Sequence, residues 1–240
     1  CVCVCVCVCV CVCVCVCGMT EGEASVPVYG NCDMERGAVV TYRALCEEDL
    51  PQLKSLHEEL FPVRYEEEFF RGCVSNAWCR GAFLADVMIG CISCSWEPSS
   101  LNGEGDFLEA GCCGGSQVMY IMTLGVQEKC RQCGIGSALL DLALAEAEQN
   151  RSCRAIFLHV LSTNEPALLF YLRHCFVQWK VLQGYYWFDS SLHDANLLVR
   201  FLHGGHPPGQ GVRGLVASSF HVAKRAWNWT RRKFYELLDL

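Results

Sequence analysis

The sequence predicts a mixed α/β fold: one twisted sheet of about seven strands with helices on both faces, followed by a separate amphipathic C-terminal helix. Three observations predict it. Apolar runs with strand character alternate with helical patterns from Val39 to Phe201. The clearest helical pattern, Gly134–Gln149, follows the apolar run Val118–Val126 through a short glycine-containing link. Charge is also unevenly divided, because a chain of net −7 carries +4 from Gly204 onward and −11 before it.

Taken in order, Val39–Leu45 reads as a strand and Glu47–Leu60 as a helix with Leu50, Leu53, Leu56 and Leu60 on one face. A second short helix is expected over Glu66–Val74. Arg80–Asp86 and Val87–Trp96 suggest a hairpin, and Pro98–Ser116 a polar, Gly-rich loop. Val118–Val126 is then a central strand, and Gly134–Gln149 a helix with Ile135, Leu139, Leu142 and Ala143 aligned. Ala155–Leu161 follows as a strand. Pro166 suits a first helical turn, so Glu165–Arg173 is a helix, and Cys175–Leu182 and Ala195–Phe201 are late strands. Pro207 and Pro208 close the domain. The expected division is a low-complexity, disordered segment over 1–38, an α/β domain over 39–208 and a tail over 209–240.

Residues 1–17 alternate Cys and Val, the pattern a TG dinucleotide repeat encodes when read in frame. The run lacks the basic flank of a signal peptide, and Met19-Thr20-Glu21 is the expected natural start. Nine of the 21 cysteines lie there, and the other twelve are scattered, which favours a reducing compartment. Two CxxC pairs, Cys91/Cys94 and Cys130/Cys133, have the spacing of zinc half-sites. Residues three apart on a strand face opposite sides, so Cys91 and Cys94 are read as structural thiols and no metal is expected. An excess of 26 acidic over 19 basic residues argues against nucleic-acid partners.

The chemistry-bearing motif is Arg131-Gln132-Cys133-Gly134-Ile135-Gly136, between a strand and a long helix. Two glycines at a helix N-terminus let backbone amides approach an anion such as a pyrophosphate. The dinucleotide fingerprint is excluded by Leu139 at its third glycine position, and no Gly-Lys-Ser/Thr follows for a P-loop. With this R-x-x-G-x-G loop the chain resembles the GNAT superfamily. Phe61–Tyr65 (FPVRY), Tyr120–Val126 (YIMTLGV), Leu158–Tyr171 (LHVLSTNEPALLFY), Tyr185-Tyr186 and Gly204–Pro208 (GGHPP) are similar to the NatF class of Golgi-associated N-terminal acetyltransferases.

That resemblance, from about Thr41 to Pro208, implies the GNAT fold, acetyl-coenzyme A as cosubstrate and protein N-terminal peptides as substrates. It implies Tyr120 and His159 as the catalytic pair. It places acetyl-coenzyme A against Leu124, Gly125, Val126, Arg131, Gln132, Cys133, Gly134, Ile135, Gly136, Asn164 and Tyr171, with Tyr171 near the sulfur. Phe61, Pro62, Tyr65, Tyr185 and Tyr186 would line the peptide slot. The physical case agrees: an α-amine has a pKa near 8 against about 10.4 for lysine, so a histidine titrating near 6.5 is an adequate base. The class has Pro-Tyr where this chain has Gln183-Gly184, which bears on the slot's shape.

The tail from about Leu215 carries Val216, Phe220, Ala223, Trp227, Phe234 and Leu238 on one helical face and Lys224, Arg225, Arg231 and Arg232 on another. This is the pattern of an in-plane helix drawn to an anionic membrane surface, expected here to be the cytosolic face of the Golgi. A helix docked on the enzyme's own core is the other reading of those faces. Two functional alternatives remain beside N-terminal acetylation: a lysine acetyltransferase, and a non-catalytic acetyl-coenzyme A-binding adaptor at membranes.

Overall fold

A computed structural model describes residues 24–27, 39–75, 77–98 and 116–205. The elements are β1 (Ala24–Pro27), β2 (Val39–Ala44), α1 (Leu50–Leu60), α2 (Glu67–Ser75), β3 (Trp78–Leu84), β4 (Val87–Pro98), β5 (Gln117–Val126), α3 (Ile135–Gln149), β6 (Cys153–Leu161), α4 (Glu165–Arg173), β7 (Val177–Phe188) and β8 (Ser191–Phe201). They form one sheet in the order β1-β2-β3-β4-β5-β6-β8-β7. Every neighbouring pair is antiparallel except β5 and β6.

Seven strands from Val39 onward match the expected architecture, and β1 is an addition. The segment before Ala38 was read as disordered, yet Ala24–Pro27 pairs antiparallel with Val39–Tyr42. Four residues with one proline carry too little periodicity to read as a strand, so pairing with β2 decides the matter. The proposed tail helix lies outside the described residues, as do the Cys-Val run and most of the Pro98–Ser116 loop.

Sequence and structure agree closely in the helices. Glu47–Asp49 form a 3-10 turn rather than the first turn of α1, which begins at Leu50 with Pro51 in its first turn. Asp49 is held there by a bidentate Arg43 guanidinium at 2.6 and 2.8 Å, which keeps its carboxyl down at about 2. The α4 N-terminus is capped by Asn164, whose side-chain oxygen accepts from the Ala167 N–H at 3.2 Å.

The two faces of the sheet carry different cores. On one, α3 and α4 pack Ile135, Leu139, Ala143, Ala167 and Tyr171 against Ile92, Ile121, Leu124, Ile156 and Leu158. On the other, α1 and α2 pack Leu53, Leu56, Phe70 and Cys73 against Phe83, Met88 and Cys91. Cys91 and Cys94 fall in these opposite cores, as strand alternation requires. The second face continues across β5, β6 and β8 through Val118, Tyr120, Phe157, Leu197 and Val199.

β7 is longer than expected. It starts at Val177, because Cys175 adopts φ 64°, and runs through two irregularities to Phe188. Tyr185 and Tyr186 are therefore strand residues near the end of a long β7–β8 hairpin.

Candidate active site

The site begins where the two parallel strands part. β5 and β6 pair only from Gln117/Cys153 to Tyr120/Phe157. Beyond that point β6 keeps its β8 partner and β5 keeps β4, so a wedge opens between their C-terminal halves. Ligands of open α/β sheets bind outside the carboxyl ends of parallel strands. A bulge marks the same place: Ser93 opposes Thr123 and Cys94 opposes Ile121, leaving Met122 as the extra residue. A buried 2.6 Å hydrogen bond between the Ser93 and Thr123 hydroxyls pins the strand just past it.

The alternation of an extended strand decides which β5 groups face the wedge. Gly125 turns its carbonyl to β4, where a Cβ on Gly90 would meet it at 3.0 Å, and Gln127 donates its N–H to Ile89 on the same side. Leu124 and Val126 therefore direct their backbone groups to the open edge. Val126's carbonyl there accepts from Arg131 Nε at 3.1 Å. The Gly125 amide belongs to the β4 ladder, in register with Cys91. The missing side chain of Gly125 lets the end of α1 approach, since a Cβ would stand 2.7 Å from Leu60 and 3.0 Å from Phe61.

Past β5 the chain makes a short turn, Glu128–Cys130, and enters α3 through two left-handed residues, Gln132 at φ 63° and Gly134 at φ 80°. Cys133 is tucked inward with its thiol donating to the Arg131 carbonyl at 3.2 Å. Ile135 and Gly136 open the helix, whose first intrahelical bond runs from Ala138 N–H to the Gly134 carbonyl. The first-turn N–H groups, with no intrahelical partner, and the positive helix end so lie next to the open edge of β5. The predicted loop residues form this turn and helix entry, while Asn164 caps α4 and Tyr171 lies within it. Tyr171 is wholly buried in the α3–α4 core, edge-on to Phe170 and Phe176.

Tyr120 and His159 sit on the opposite face. The Tyr120 hydroxyl lies 3.3 Å from His159 Nδ1, and the Tyr185 hydroxyl 3.2 Å from the same nitrogen. Tyr120 also stacks on Phe157. Burial, with Lys180 as a lesser cause, pushes the His159 pKa down to about 4. The histidine is thus neutral at pH 7 and a weaker base than an exposed one, a correction to the value near 6.5 assumed from sequence. Lys180 is in register with His159 across β8, both aligned with Leu197.

Four of the five predicted slot residues come together beside this pair. Phe61 and Tyr186 are buried in one cluster, with Tyr65 and Tyr185 half-buried against it. Pro62 is exposed at its rim. The Gln183-Gly184 departure has a structural reason: Gly184 adopts φ 59° and donates its N–H to Asp194 at 2.9 Å within an irregularity of β7. Beneath the slot is His57, which sequence reasoning missed. It is buried against Phe61, Tyr65, Phe69 and Phe70, with Nδ1 2.9 Å from the Leu53 carbonyl and its pKa pushed down to about 4 by burial. Its place four residues after Leu53 and four before Phe61, on the apolar face of α1, was the available signal.

This wedge sets backbone donors on one side against a tyrosine–histidine pair on the other, an arrangement suited to acyl transfer. The profile of the Acetyltransferase (GNAT) family matches residues 42–176, and the chain belongs to that family. Among curated proteins it is similar to N-alpha-acetyltransferase 60 of Xenopus tropicalis, at 34% identity over 69% of this chain and 71% of that one. It is also similar to histone acetyltransferase MCC1 of Arabidopsis thaliana, at 30% identity over 70% and 72% of the two chains. Among solved structures, Arabidopsis thaliana NAA60 in complex with acetyl-CoA superposes with a TM-score of 0.64 at 28% identity, covering 68% of this chain and 98% of that one. The same protein has also been solved with a bisubstrate analogue.

Proposed function

We propose that this acetyltransferase moves an acetyl group from acetyl-coenzyme A to the α-amine of protein N-termini, with Met-starting chains as its substrates. The observation that carries the reading is the Tyr120–His159 pair at the parting of β5 and β6, opening onto the slot of Phe61, Tyr65, Tyr185 and Tyr186. The names of the relatives support it.

The residues present fit acetyl-coenzyme A. The left-handed Gln132 and Gly134, with the N–H groups of Ile135 and Gly136, suit its pyrophosphate, and Leu124 and Val126 offer strand-edge donors to its amides and carbonyl. Tyr171 would border its thiol end, and Asn164 would contact the cofactor. Bound there, it supplies an acetyl group activated as a thioester.

The amine arrives from the other face. A neutral α-amine is the nucleophile, and its pKa near 8 makes that form accessible at neutral pH at roughly 3.5 kcal/mol less cost than for lysine. His159, with its pKa near 4, does not pull a proton from an ammonium. It receives, directly or through the Tyr120 hydroxyl and water, the proton that becomes strongly acidic as the nitrogen bonds to carbon, while the acyl carbon–sulfur bond breaks and coenzyme A would leave as its thiolate, to be reprotonated to the thiol. Lys180 in the same row favours a neutral amine and a neutral histidine.

Steady-state assays on paired peptides, one with a free and one with a blocked N-terminus, test this reading. Turnover of the free peptide alone is expected, and modification of lysine in both would overturn it. The similarity to a histone acetyltransferase supports the lysine reading as the second possibility.

We also propose that the tail over 209–240 holds the enzyme on anionic membrane at the cytosolic face of the Golgi, where it would meet membrane proteins with cytosolic N-termini. Support comes from its apolar face with Phe220, Trp227 and Phe234 and its basic face with Arg225, Arg231 and Arg232. Truncation after Pro208 should release the protein from phosphatidylserine-containing liposomes and spare activity on soluble peptide. Retained binding would place the membrane contact elsewhere.

A further inference from the structure

We propose that Tyr185 is the positioning residue of His159, so that the β7 wall of the peptide slot also sets the plane of the catalytic base. The inference rests on the reading of His159 as that base. Tyr185 meets the imidazole face to face, with ring centroids 4.4 Å apart and planes 22° apart. Tyr120 meets it edge-on, at 5.6 Å and 68°. Both hydroxyls nevertheless reach one atom, Nδ1, at 3.2 and 3.3 Å.

One imidazole nitrogen offers a single in-plane hydrogen bond, either a lone pair or an N–H. The edge-on Tyr120 is placed to take it, whereas the stacked Tyr185 holds its hydroxyl above the imidazole plane. The two tyrosines then have separable effects. Stacking by Tyr185 fixes the plane of the imidazole but does not distinguish its two flipped orientations, which exchange Nδ1 with a carbon. The Tyr120 hydroxyl distinguishes them, because only the observed flip brings a nitrogen to it. Tyr120 thus selects the flip from β5, and Tyr185 holds the plane from β7. Among described neighbours, β5 offers Tyr120, β6 Phe157, β8 the apolar Leu197, and β7 Tyr185 and the cation Lys180.

Tyr185 can do this because β7 is irregular. The left-handed Gly184 and the loss of register between Leu182 and Tyr186 turn two consecutive tyrosines toward the site, where a regular strand would send one to each face. Tyr186 fills the buried cluster and Tyr185 takes the histidine.

Two variants of the full chain separate the effects, each checked for an unchanged thermal midpoint. Tyr185→Phe keeps the ring and loses the hydroxyl, and Tyr185→Leu loses both. Nitrogen-15 NMR of the imidazole, with the His159 signals assigned by their loss in His159→Gln, reads tautomer and titration without turnover. In the parent, His159 should hold one tautomer and stay neutral to below pH 5. Tyr185→Phe, which keeps the stack, should hold tautomer and titration midpoint close to those of the parent, and Tyr185→Leu should mix the tautomers and raise the midpoint by at least one pH unit. In kinetics, kcat should fall tenfold or more in Leu and clearly less in Phe, with peptide KM changing less than threefold in both. Unchanged tautomer and midpoint in both variants, with the loss confined to KM, would overturn the proposal and leave Tyr185 as a slot wall. NMR effects without any change in kcat would retain the positioning of His159 but remove His159 as the base.

Discussion

The two sides of the wedge are built from different materials. The α3 side is backbone: the open edge of Leu124 and Val126, the left-handed Gln132 and Gly134, and the first turn of a fifteen-residue helix. The peptide side is side chains: His159 from β6, Tyr120 from β5, Tyr185 and Tyr186 from β7, and Phe61 and Tyr65 after α1. A backbone site has one solution, so it leaves a contiguous motif in the chain. A side-chain site drawn from four segments can be tuned residue by residue, and its assembly depends on register and bulges.

The sharpest break of this comparison is expected at the base. His159→Ala should lower kcat by about 10²–10⁴ and Tyr120→Phe by about 10-fold or more, with acetyl-coenzyme A affinity within twofold of the parent in isothermal titration. Lost cofactor affinity would mean that the two sides are not separable.

Next in size is a pair of glycine substitutions with opposite signatures. Gly125→Val places a side chain against Leu60 and Phe61 and should raise peptide KM by roughly tenfold while leaving cofactor affinity nearly unchanged. Gly134→Val forces a branched residue into φ 80° and should do the reverse, with a stability cost of about 1–2 kcal/mol. Steady-state titration of each substrate distinguishes them.

Acid stability comes third. His57 and His159 have folded pKa values of about 4 against 6.5, so the unfolded chain binds more protons between those values. Each therefore contributes stability that is present above pH 6.5 and lost as pH falls toward 4, roughly 3 kcal/mol apiece at the upper limit. Urea unfolding at pH 7 and pH 5 should show the loss, and His57→Phe should reduce the slope. The smallest effect is at Gly184, where a Cβ has room at 3.4 Å from Leu192. Gly184→Ala should cost only about 1 kcal/mol, from its φ of 59°.

These contrasts explain what was legible in the sequence. Arg131–Gly136 could be read because a helix entered through glycines at fixed spacing has few other uses. The first turn of α4 at Pro166 could be read for a similar local reason. The register of β7 could not, because an irregularity at Gly184 depends on pairing with β8 and on Asp194. The orientation of Gly125 could not be read either, since it follows from a bulge at Met122 that no local pattern announces. The His159 pKa depends on burial by strands far apart in the chain, so its residue type suggested a stronger base than the fold provides.

The central claim is that the two sides meet at a site shaped for an α-amine. Its most direct test is acetyl transfer from labelled acetyl-coenzyme A to a Met-Lys peptide with a free N-terminus, the acetyl group being located by mass spectrometry. A label on the α-amine is the predicted result; a label on the lysine side chain alone, or no transfer, would contradict it.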